Sequence, residues 1–310
     1  MPRSFRHAWR TLLTGTLTAA SSIAFAQAPG PAPTPGTSGV TPFGSVTPIW
    51  QGKADLDGGG DFGVIGAVLR AGVTAPFGTG NFGGAVFNYD YLDYDFSGNT
   101  AFGAGPWGVV QRYGMSFPFV LRGGDGWIFG ITPTLDWFRE NGASWSDSLT
   151  YGALVSATKS FAPDRRLGLG VAAFYRLEET TIFPFLIVDW RLSERWRIVN
   201  PLAAGPTGPA GIELDYKLTD TWSLGFGGAW RSQRFRLSES GPTPSGIGEE
   251  RGVPLFARLS RRFGPQSSFY VYAGAIVGGK LRLEDRNGNE IREVSFDPAP
   301  LLGATFSYRF

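Results

Sequence analysis

The chain has 310 residues, no cysteine and one histidine, and its 28 basic residues nearly balance its 26 acidic residues. An exported chain without cysteine forms no disulfides, and the single His7 leaves the rest of the chain without most zinc sites and without the usual base that activates a nucleophile. We therefore predict a non-enzymatic protein with no catalytic residues and no cofactor. The balanced charge also argues against nucleic acid as a partner.

Residues 1–26 are typical of a cleaved secretory signal peptide. Three arginines in the first ten residues precede a short apolar run, and Ala24-Phe25-Ala26 has the small residues of a cleavage site. The apolar run is too short, and too rich in Thr, Ser and Gly, to span a membrane as a helix. Cleavage would leave a mature chain without histidine, beginning with a Pro- and Gly-rich leader at 27–44.

From residue 45 to the C-terminus the chain alternates between apolar and polar residues. In the clearest segment, Tyr113, Met115 and Phe117 alternate with Arg112 and Ser116. A period of two predicts strands with one apolar face, and many of these segments are longer than the strands of soluble proteins. We predict a transmembrane antiparallel up-and-down β-barrel of 14 strands, with 12 as the alternative because the segments near 195 and 210 are short. The strands begin near residues 46, 61, 81, 107, 126, 147, 166, 181, 195, 210, 222, 251, 268 and 291.

The connections between these strands alternate in length. In outer-membrane barrels the short turns are periplasmic and the long loops are extracellular. The same side of the membrane would then hold the short turns and both termini. Short connections are predicted at 76–80, 123–125, 162–165, 193–195, 219–220 and 265–267, and long ones at 97–106, 141–146 and 238–250.

Two hairpins have predictable registers. A three-residue loop at 123–125 supplies glycine for the left-handed position and places Arg112 directly opposite Asp136.

The dipeptide Asn287-Gly288 is a strong signal for a two-residue turn, and it places Arg282 opposite Glu293. The same register would place Arg286 opposite Asn289. We expect both charge pairs on the inner face.

Charged residues of both signs occupy the alternate strand positions whose side chains face the lumen. They could line a water-filled pore or form a salt-bridge network that fixes strand register. We favour the network, although this number of strands encloses more space than side chains alone usually fill. The predicted lumen charge network consists of Arg70, Arg112, Asp136, Arg176, Asp189, Asp215, Arg231, Arg258, Arg282 and Glu293.

The turn at 55–61 carries three carboxylates on a Gly-rich segment. Asp55, Asp57 and Asp61 resemble a calcium loop, but no EF-hand spacing follows them. We interpret the segment as a hairpin tip, and whether it binds a cation stays open.

The last strand continues to the final residue. Phe306, Tyr308 and Phe310 alternate with Ser307 and Arg309, so the aromatic and the polar residues lie on opposite faces of the strand. Outer-membrane barrels commonly end in a terminal Phe with alternating apolar residues before it, and the barrel-assembly machinery recognises that ending. We predict that Phe306, Tyr308 and Phe310 form the C-terminal assembly signal, and that Phe306 and Tyr308 face lipid.

Five short blocks resemble an uncharacterised family of bacterial outer-membrane β-barrel proteins, over nearly the whole mature chain. The resemblance implies a barrel in the outer membrane, in contact with lipid and lipopolysaccharide, and implies no activity. We expect a small-solute pore or an envelope structural protein. The alternative is an occluded barrel whose loops at 97–106 and 238–250 serve binding or adhesion. The blocks are Asp55-Leu56-Asp57-Gly58-Gly59, Tyr94-Asp95-Phe96-Ser97-Gly98, Pro106-Trp107-Gly108, Asp189-Trp190-Arg191 and Arg234-Phe235-Arg236-Leu237.

Deletion of Phe310 should lower the amount of protein in the outer membrane, because the assembly machinery would lose the terminal aromatic residue. Quantifying the folded band in outer-membrane fractions tests this, and normal levels of the truncated chain would contradict it.

Overall fold

The computed structural model describes residues 39–103, 105–200 and 210–310. The predicted signal peptide and the leader as far as residue 38 lie outside the described residues. No helix in the described parts of the chain is long and apolar enough to cross a membrane.

Within the described residues the chain forms seventeen β-strands and two short 3-10 helices, Gly124–Gly126 and Ser146–Ser148. The strands are β1 (Thr41–Asp55), β2 (Asp61–Phe77), β3 (Asn81–Ser97), β4 (Val109–Ser116), β5 (Phe119–Arg122), β6 (Trp127–Glu140), β7 (Leu149–Ala162), β8 (Arg165–Arg176), β9 (Glu179–Arg191), β10 (Trp196–Val199), β11 (Gly211–Lys217), β12 (Trp222–Ala229), β13 (Arg231–Arg236), β14 (Ile247–Arg262), β15 (Ser267–Glu284), β16 (Glu290–Phe296) and β17 (Ala299–Arg309).

The sheet closes into a barrel of fourteen antiparallel strands. β1 pairs with β2 on one side and with β17 on the other, where Ser45 lies opposite Ser307. Three strand positions are each occupied by two consecutive segments, β4 with β5, β12 with β13, and β16 with β17. The predicted fold and the strand number of 14 are therefore confirmed.

The connections of the two barrel ends differ in length. At one end, here called the short-turn end, the strands are joined by two to four residues. β1 begins and β17 ends at this same end. The opposite end, here called the long-loop end, includes connections of up to eleven residues. The short connections occupy 78–80, 123–126, 163–164, 192–195, 218–221 and 263–266, which matches the six predicted turns in order.

The outer surface is an apolar band between two belts of aromatic residues. Tyr151 packs against Tyr175 toward the long-loop end, and Phe161 packs against Trp190 near the short-turn end. Tyr151 and Phe161 lie ten residues apart on β7, so a strand tilted by about 40° separates the belts by about 25 Å. That height matches the hydrocarbon band of an outer-membrane barrel.

The last strand follows the predicted alternation. Leu302 and Phe306 are exposed on the outer face, whereas Thr305 is fully buried inside and bonds to Thr47 on β1. The backbone N–H of Phe310 donates to the carbonyl of Pro42 at 3.0 Å, so the barrel seam extends to the final residue.

Large inward side chains lie flat against the wall, over glycines on neighbouring strands. A Cβ added at Gly303 would overlap the ring and hydroxyl of Tyr272, and one at Gly170 would overlap the ring of Phe185. These glycines leave room along the wall, so the bulky groups do not project toward the barrel axis.

The variant Gly303→Ala should therefore destabilise the barrel by about 1–3 kcal/mol, because Tyr272 must leave its place against the wall. Gly44→Ala is the matched control, since an added Cβ there meets only the carbonyl of Arg70 at an ordinary 3.5 Å. Urea unfolding in detergent measures both variants. Equal stability of the two would contradict the expected role of the Gly303 position.

Candidate functional site

The long-loop end of the lumen is filled by residues 231–250, which we call the inward hairpin. After Trp230 the chain leaves the wall, and every residue of β13 from Arg231 to Arg236 is buried. The first four residues of β14, beginning at Ile247, are also buried. The prediction of a long external loop at 238–250 is therefore wrong for much of this segment, because Ser238 and residues 246–250 are buried inside the barrel.

An aromatic cluster holds one face of the inward hairpin against the wall. The fully buried ring of Phe235 lies 5.3 Å from Trp107, 5.6 Å from Phe138 and 6.0 Å from Tyr94, measured between ring centroids. Phe62 adds a further ring beside Tyr94. Three of the five short motifs of the sequence, those containing Tyr94, Trp107 and Phe235, thus meet at one place.

The same face carries a buried ion pair between Arg231 and Glu250. The Arg231 guanidinium also donates to Gln51 Oε1 at 3.0 Å, and the Tyr94 hydroxyl donates to Glu250 Oε2 at 2.8 Å. Arg231 and Glu250 are thereby hydrogen-bonded to side chains of β1 and β3, respectively.

The opposite face of the hairpin is held by Arg234. Its Nη1 and Nη2 donate to the two carboxylate oxygens of Glu284 at 2.9 and 2.5 Å, and its Nη2 also donates to the carbonyl of Leu177 at 3.0 Å. The Glu249 carboxylate lies 3.8 Å from Arg234.

Arg236 joins the hairpin to three neighbouring loops. It forms an ion pair with Glu178 at 2.7 Å and donates to the carbonyls of Asp147 and Arg286 at 2.9 and 3.1 Å. A buried charge is tolerated only when it is paired and hydrogen-bonded, and these arginines meet that condition at the place where the hairpin crosses the lumen.

A chain of alternating charges runs along the inner wall of β2, β3, β4 and β6. Arg70 binds Asp90, which lies 3.5 Å from Arg112, and Arg112 in turn lies 3.1 Å from Asp136. The predicted register of this hairpin is wrong, because Arg112 lies opposite Phe138 and Asp136 lies opposite Gly114.

The register differs because the turn lies one residue later than predicted. The backbone N–H of Gly123 donates to the carbonyl of Trp127, so the three-residue loop is 124–126, in which Asp125 and Gly126 both have a positive φ. The Asp136 carboxylate lies over Gly114, and from there it reaches Arg112 diagonally.

A second group of charges lies on β11 and β14. Arg258 donates to Glu213 at 3.0 Å and lies 3.2 Å from Asp215, with its guanidinium 5.7 Å from the ring of Tyr270.

Near the short-turn end, Asp189 accepts two hydrogen bonds from Arg197 at 2.6 and 2.7 Å. Arg176 is buried at the long-loop end, beneath the inward hairpin, and its backbone carbonyl accepts from Arg234.

The predicted lumen position of Arg282 and Glu293 is wrong. Their direct pairing across the hairpin is as predicted, but the positive-φ Gly278 shifts the alternation of β15. Beyond it, Leu281 and Leu283 face the core and Arg282 and Glu293 lie on the opposite face. Arg282 forms ion pairs with Glu284 and Glu290, and Glu293 forms ion pairs with Arg251 and Lys280.

The turn predicted at 287–288 has three residues, 286–288, instead of two, because the backbone N–H of Asp285 donates to the carbonyl of Asn289. The side-chain amide of Asn289 donates to Asp285 as well, and this lowers the pKa of the Asp285 carboxyl below its ordinary value.

Sequence reasoning missed several partners of the predicted charges. Asp90 is one of the inward-facing residues of β3 and lies directly opposite Arg112, so the alternation of that strand could have identified it. Glu249 and Glu250 gave no such signal, because adjacent carboxylates after a Gly- and Pro-rich segment read as a solvated loop.

The short-turn half of the lumen remains partly accessible, and we call it the vestibule. Its inner surface carries small hydroxyl side chains that are neither fully buried nor fully exposed, namely Ser45, Thr74, Ser156, Ser160, Ser268 and Ser307. The lumen is therefore partly accessible and polar toward the short-turn end and filled by the inward hairpin toward the long-loop end.

The acidic turn at 55–61 is a hairpin tip. Asp61 accepts a hydrogen bond from Ser97 at 2.6 Å and forms an ion pair with Lys53 at 2.9 Å. The described residues contain no group of three or more carboxylate, histidine or cysteine side chains arranged to hold a metal ion.

No protein-family model and no curated protein matches the chain. The structure is similar to that of the COG4313 outer membrane channel from Pseudomonas putida F1, with 10% sequence identity, a TM-score of 0.48, and coverage of 90% of this chain and 100% of that one.

It is also similar to the toluene transporter TodX from P. putida, with 8% identity, a TM-score of 0.42, and coverage of 87% of this chain and 89% of that one. The KdgM porin in complex with disordered oligogalacturonate has 11% identity and a TM-score of 0.33, over 84% of this chain and 98% of that one. At these identities the likeness concerns the fold and says nothing about a solute. The family resemblance read from the short motifs stays a prediction.

Replacing Arg112 with Met should destabilise the barrel by about 3–5 kcal/mol, because the largely enclosed Asp136 loses the only ion pair it forms among the described residues. Arg122→Met, at the exposed end of β5, is the control and should change the free energy of unfolding by less than about 0.5 kcal/mol.

Urea unfolding of both variants, and of Arg112→Met combined with Asp136→Asn, completes the measurement. The double variant should be less destabilised than the sum of the single variants. Strict additivity would contradict the pairing.

Proposed function

We propose that this protein is an integral barrel of the Gram-negative outer membrane that passes small solutes, and that the inward hairpin keeps its outer mouth closed at rest. We also infer that the protein is non-enzymatic. The inward hairpin is the observation that carries this proposal, because it fills the long-loop end and is buried on both of its faces.

The vestibule favours passage over a purely structural role. The inward rings of Tyr272 and Phe185 lie flat on the wall over Gly303 and Gly170, and so leave the lumen free. A purely structural barrel would not require this arrangement. The partly exposed hydroxyl groups of the vestibule would line the lower part of the path.

The attachment of the hairpin is consistent with a closure that can be reversed. Its β14 arm, residues 247–250, is paired by backbone with β15. Its β13 arm is held to the rest of the barrel by side-chain ion pairs, ring contacts and a backbone bridge between Arg236 and Arg139. Ion pairs and hydrogen bonds can exchange with water once the β13 arm moves, so this arm can be released while β14 and β15 stay paired.

The adhesion alternative depends on long external loops. Much of the 238–250 segment is folded into the lumen, which leaves 239–244 as its more accessible part. The structure thus offers less external surface for that role than the sequence suggested.

In the membrane, the short-turn end would face the periplasm and the hairpin end the outside, in the orientation common to outer-membrane barrels. Lipid, lipopolysaccharide and the assembly machinery stay the proposed partners.

Conductance in planar bilayers tests the closure. The native protein should stay mostly silent, whereas a variant in which 233–250 is replaced by Asn-Gly should give ohmic steps, because the turn preserves β-hairpin geometry but no longer fills the mouth. Heat-modifiability on gels verifies that the shortened barrel is folded. Open steps of equal size in both proteins, or silence of the folded shortened variant, would contradict the proposal.

A disulfide lock supplies the matched control, since the native chain contains no cysteine. Arg139 and Arg236 are bridge partners, so Arg139→Cys combined with Arg236→Cys can join the hairpin to the wall. The oxidised protein should be silent, and the same preparation should open more often than the native protein once it is reduced.

A further inference from the structure

Four basic residues lie beside aromatic rings on the outer face of the short-turn end. They are Lys159, Arg165, Arg195 and Arg261, which we call the basic arc, and its three arginines are exposed. Lys159 lies on β7 and Arg261 lies on β14. Six pairings of neighbouring strands separate β7 from β14, each about 4.8 Å wide, so the arc extends over about 30 Å of the circumference.

The first two members of the basic arc contact tryptophan rings at this end of the barrel. The Nζ atom of Lys159 lies 5.4 Å from the ring centroid of Trp127. The guanidinium carbon of Arg165 lies 5.8 Å from the ring centroid of Trp190. A cation at this distance from a ring is attracted by the negative charge of the ring face, so each contact holds a basic side chain against the outer surface.

The other two members are held in the same way. The guanidinium of Arg261 lies 5.1 Å from the ring of Trp222 and 4.7 Å from that of Phe263. Arg195 donates from Nη1 to the hydroxyl of Tyr216 at 3.1 Å. Aromatic rings at a membrane interface lie at the level of the lipid headgroups, and lysine and arginine stems lie along apolar surface while their charges extend toward water. The arc therefore places its charges among the headgroups.

The basic arc has no ion-pair partner in the described part of the chain, and that part contains every acidic residue of the protein. Glu194 adjoins Arg195 in the sequence without forming an ion pair with it. Lys159 reaches the turn at 124–126, but it donates there to the backbone carbonyl of Asp125 and not to the carboxylate.

Two further carboxylates in the short turns are paired with basic residues outside the arc. Asp164 lies 3.9 Å from Arg191, and Asp220 lies 2.5 Å from Lys217. The positive charge of the arc therefore needs a partner that the chain itself does not supply.

The charge is confined to one side of the barrel. In the described strands β15, β17, β1 and β2, the outward positions near the short-turn end are apolar or aromatic, as at Phe77, Phe269 and Phe306. The aromatic belt continues around the barrel, whereas the basic residues follow only β7 to β14. Vertical anchoring in the membrane would need no such asymmetry, so the arc indicates recognition of a charged partner.

We propose that the basic arc binds the phosphate groups of anionic phospholipids in the periplasmic leaflet. Guanidinium groups match phosphate oxygens by paired hydrogen bonds, and no item of the fold other than Tyr216 occupies the arginine donors. A span of about 30 Å is too wide for one small anion, but it matches a row of headgroups. Zwitterionic lipids are a poorer match, because their own ammonium group balances the phosphate.

The assignment to the periplasmic leaflet rests on the proposed orientation, whereas the binding itself does not. The partner is a lipid and not a soluble acidic protein, because the basic side chains lie beside rings that face the membrane.

Spin-labelled lipids measure the preference in reconstituted bilayers of phosphatidylcholine. The fraction of label immobilised at the barrel gives the association constant of phosphatidylglycerol relative to that of phosphatidylcholine. The native barrel should prefer phosphatidylglycerol by at least about threefold, because each basic side chain near an anionic headgroup adds attraction of that order. Replacing Lys159, Arg165, Arg195 and Arg261 together by Gln should bring the ratio close to one.

The matched control replaces four basic residues of the same end whose strand positions alternate toward the lumen, namely Arg122, Arg166, Lys217 and Arg262, by Gln. It changes the net charge equally and should keep the native ratio. Heat-modifiability on gels verifies folding, and Arg165→Gln combined with Arg261→Gln is the smaller variant if the fourfold one does not fold; it should lose part of the preference.

A native ratio close to one would overturn the proposal, and it is the result expected if the arc met an acidic protein instead. An equal loss of preference in the arc variant and the control would also overturn it, because net charge alone would then explain the binding. Either result would leave the conductance experiment unaffected, since closure by the inward hairpin does not involve the arc.

Discussion

The structure depends on one constraint: a backbone that crosses hydrocarbon must satisfy its own hydrogen bonds. A sheet meets this requirement only when its first and last strands pair, as β1 and β17 do from Phe43 and Arg309 to Gln51 and Leu301. Closure then determines the alternation of every strand, because each side chain must face either lipid or lumen. The apolar band, the two aromatic belts and the final aromatic residues all follow from that alternation.

Closing fourteen strands encloses more space than ordinary side chains fill, and the chain fills the long-loop end with its own hairpin. Bringing polar backbone and charged side chains into that space requires a partner for each charge. Arg231, Arg234 and Arg236 find theirs on strands and loops that are far apart in the sequence. The aromatic cluster around Phe235 supplies the apolar contact that orients the hairpin.

The sequence by itself determined the barrel, its strand number, the order of its short turns and the outward face of the final strand, because each depends on a period of two that local residues display. It also determined the direct pairing of Arg282 with Glu293, but not the face on which they lie, since the positive-φ Gly278 that shifts the alternation has no signature in the pattern. Only the tertiary structure decided that 231–250 folds inward, because its stability comes from Glu178, Glu284, Tyr94 and Trp107, contacts between residues distant in the chain. Local alternation reports which face of a strand is apolar, and it carries no information about which distant group neutralises a buried charge.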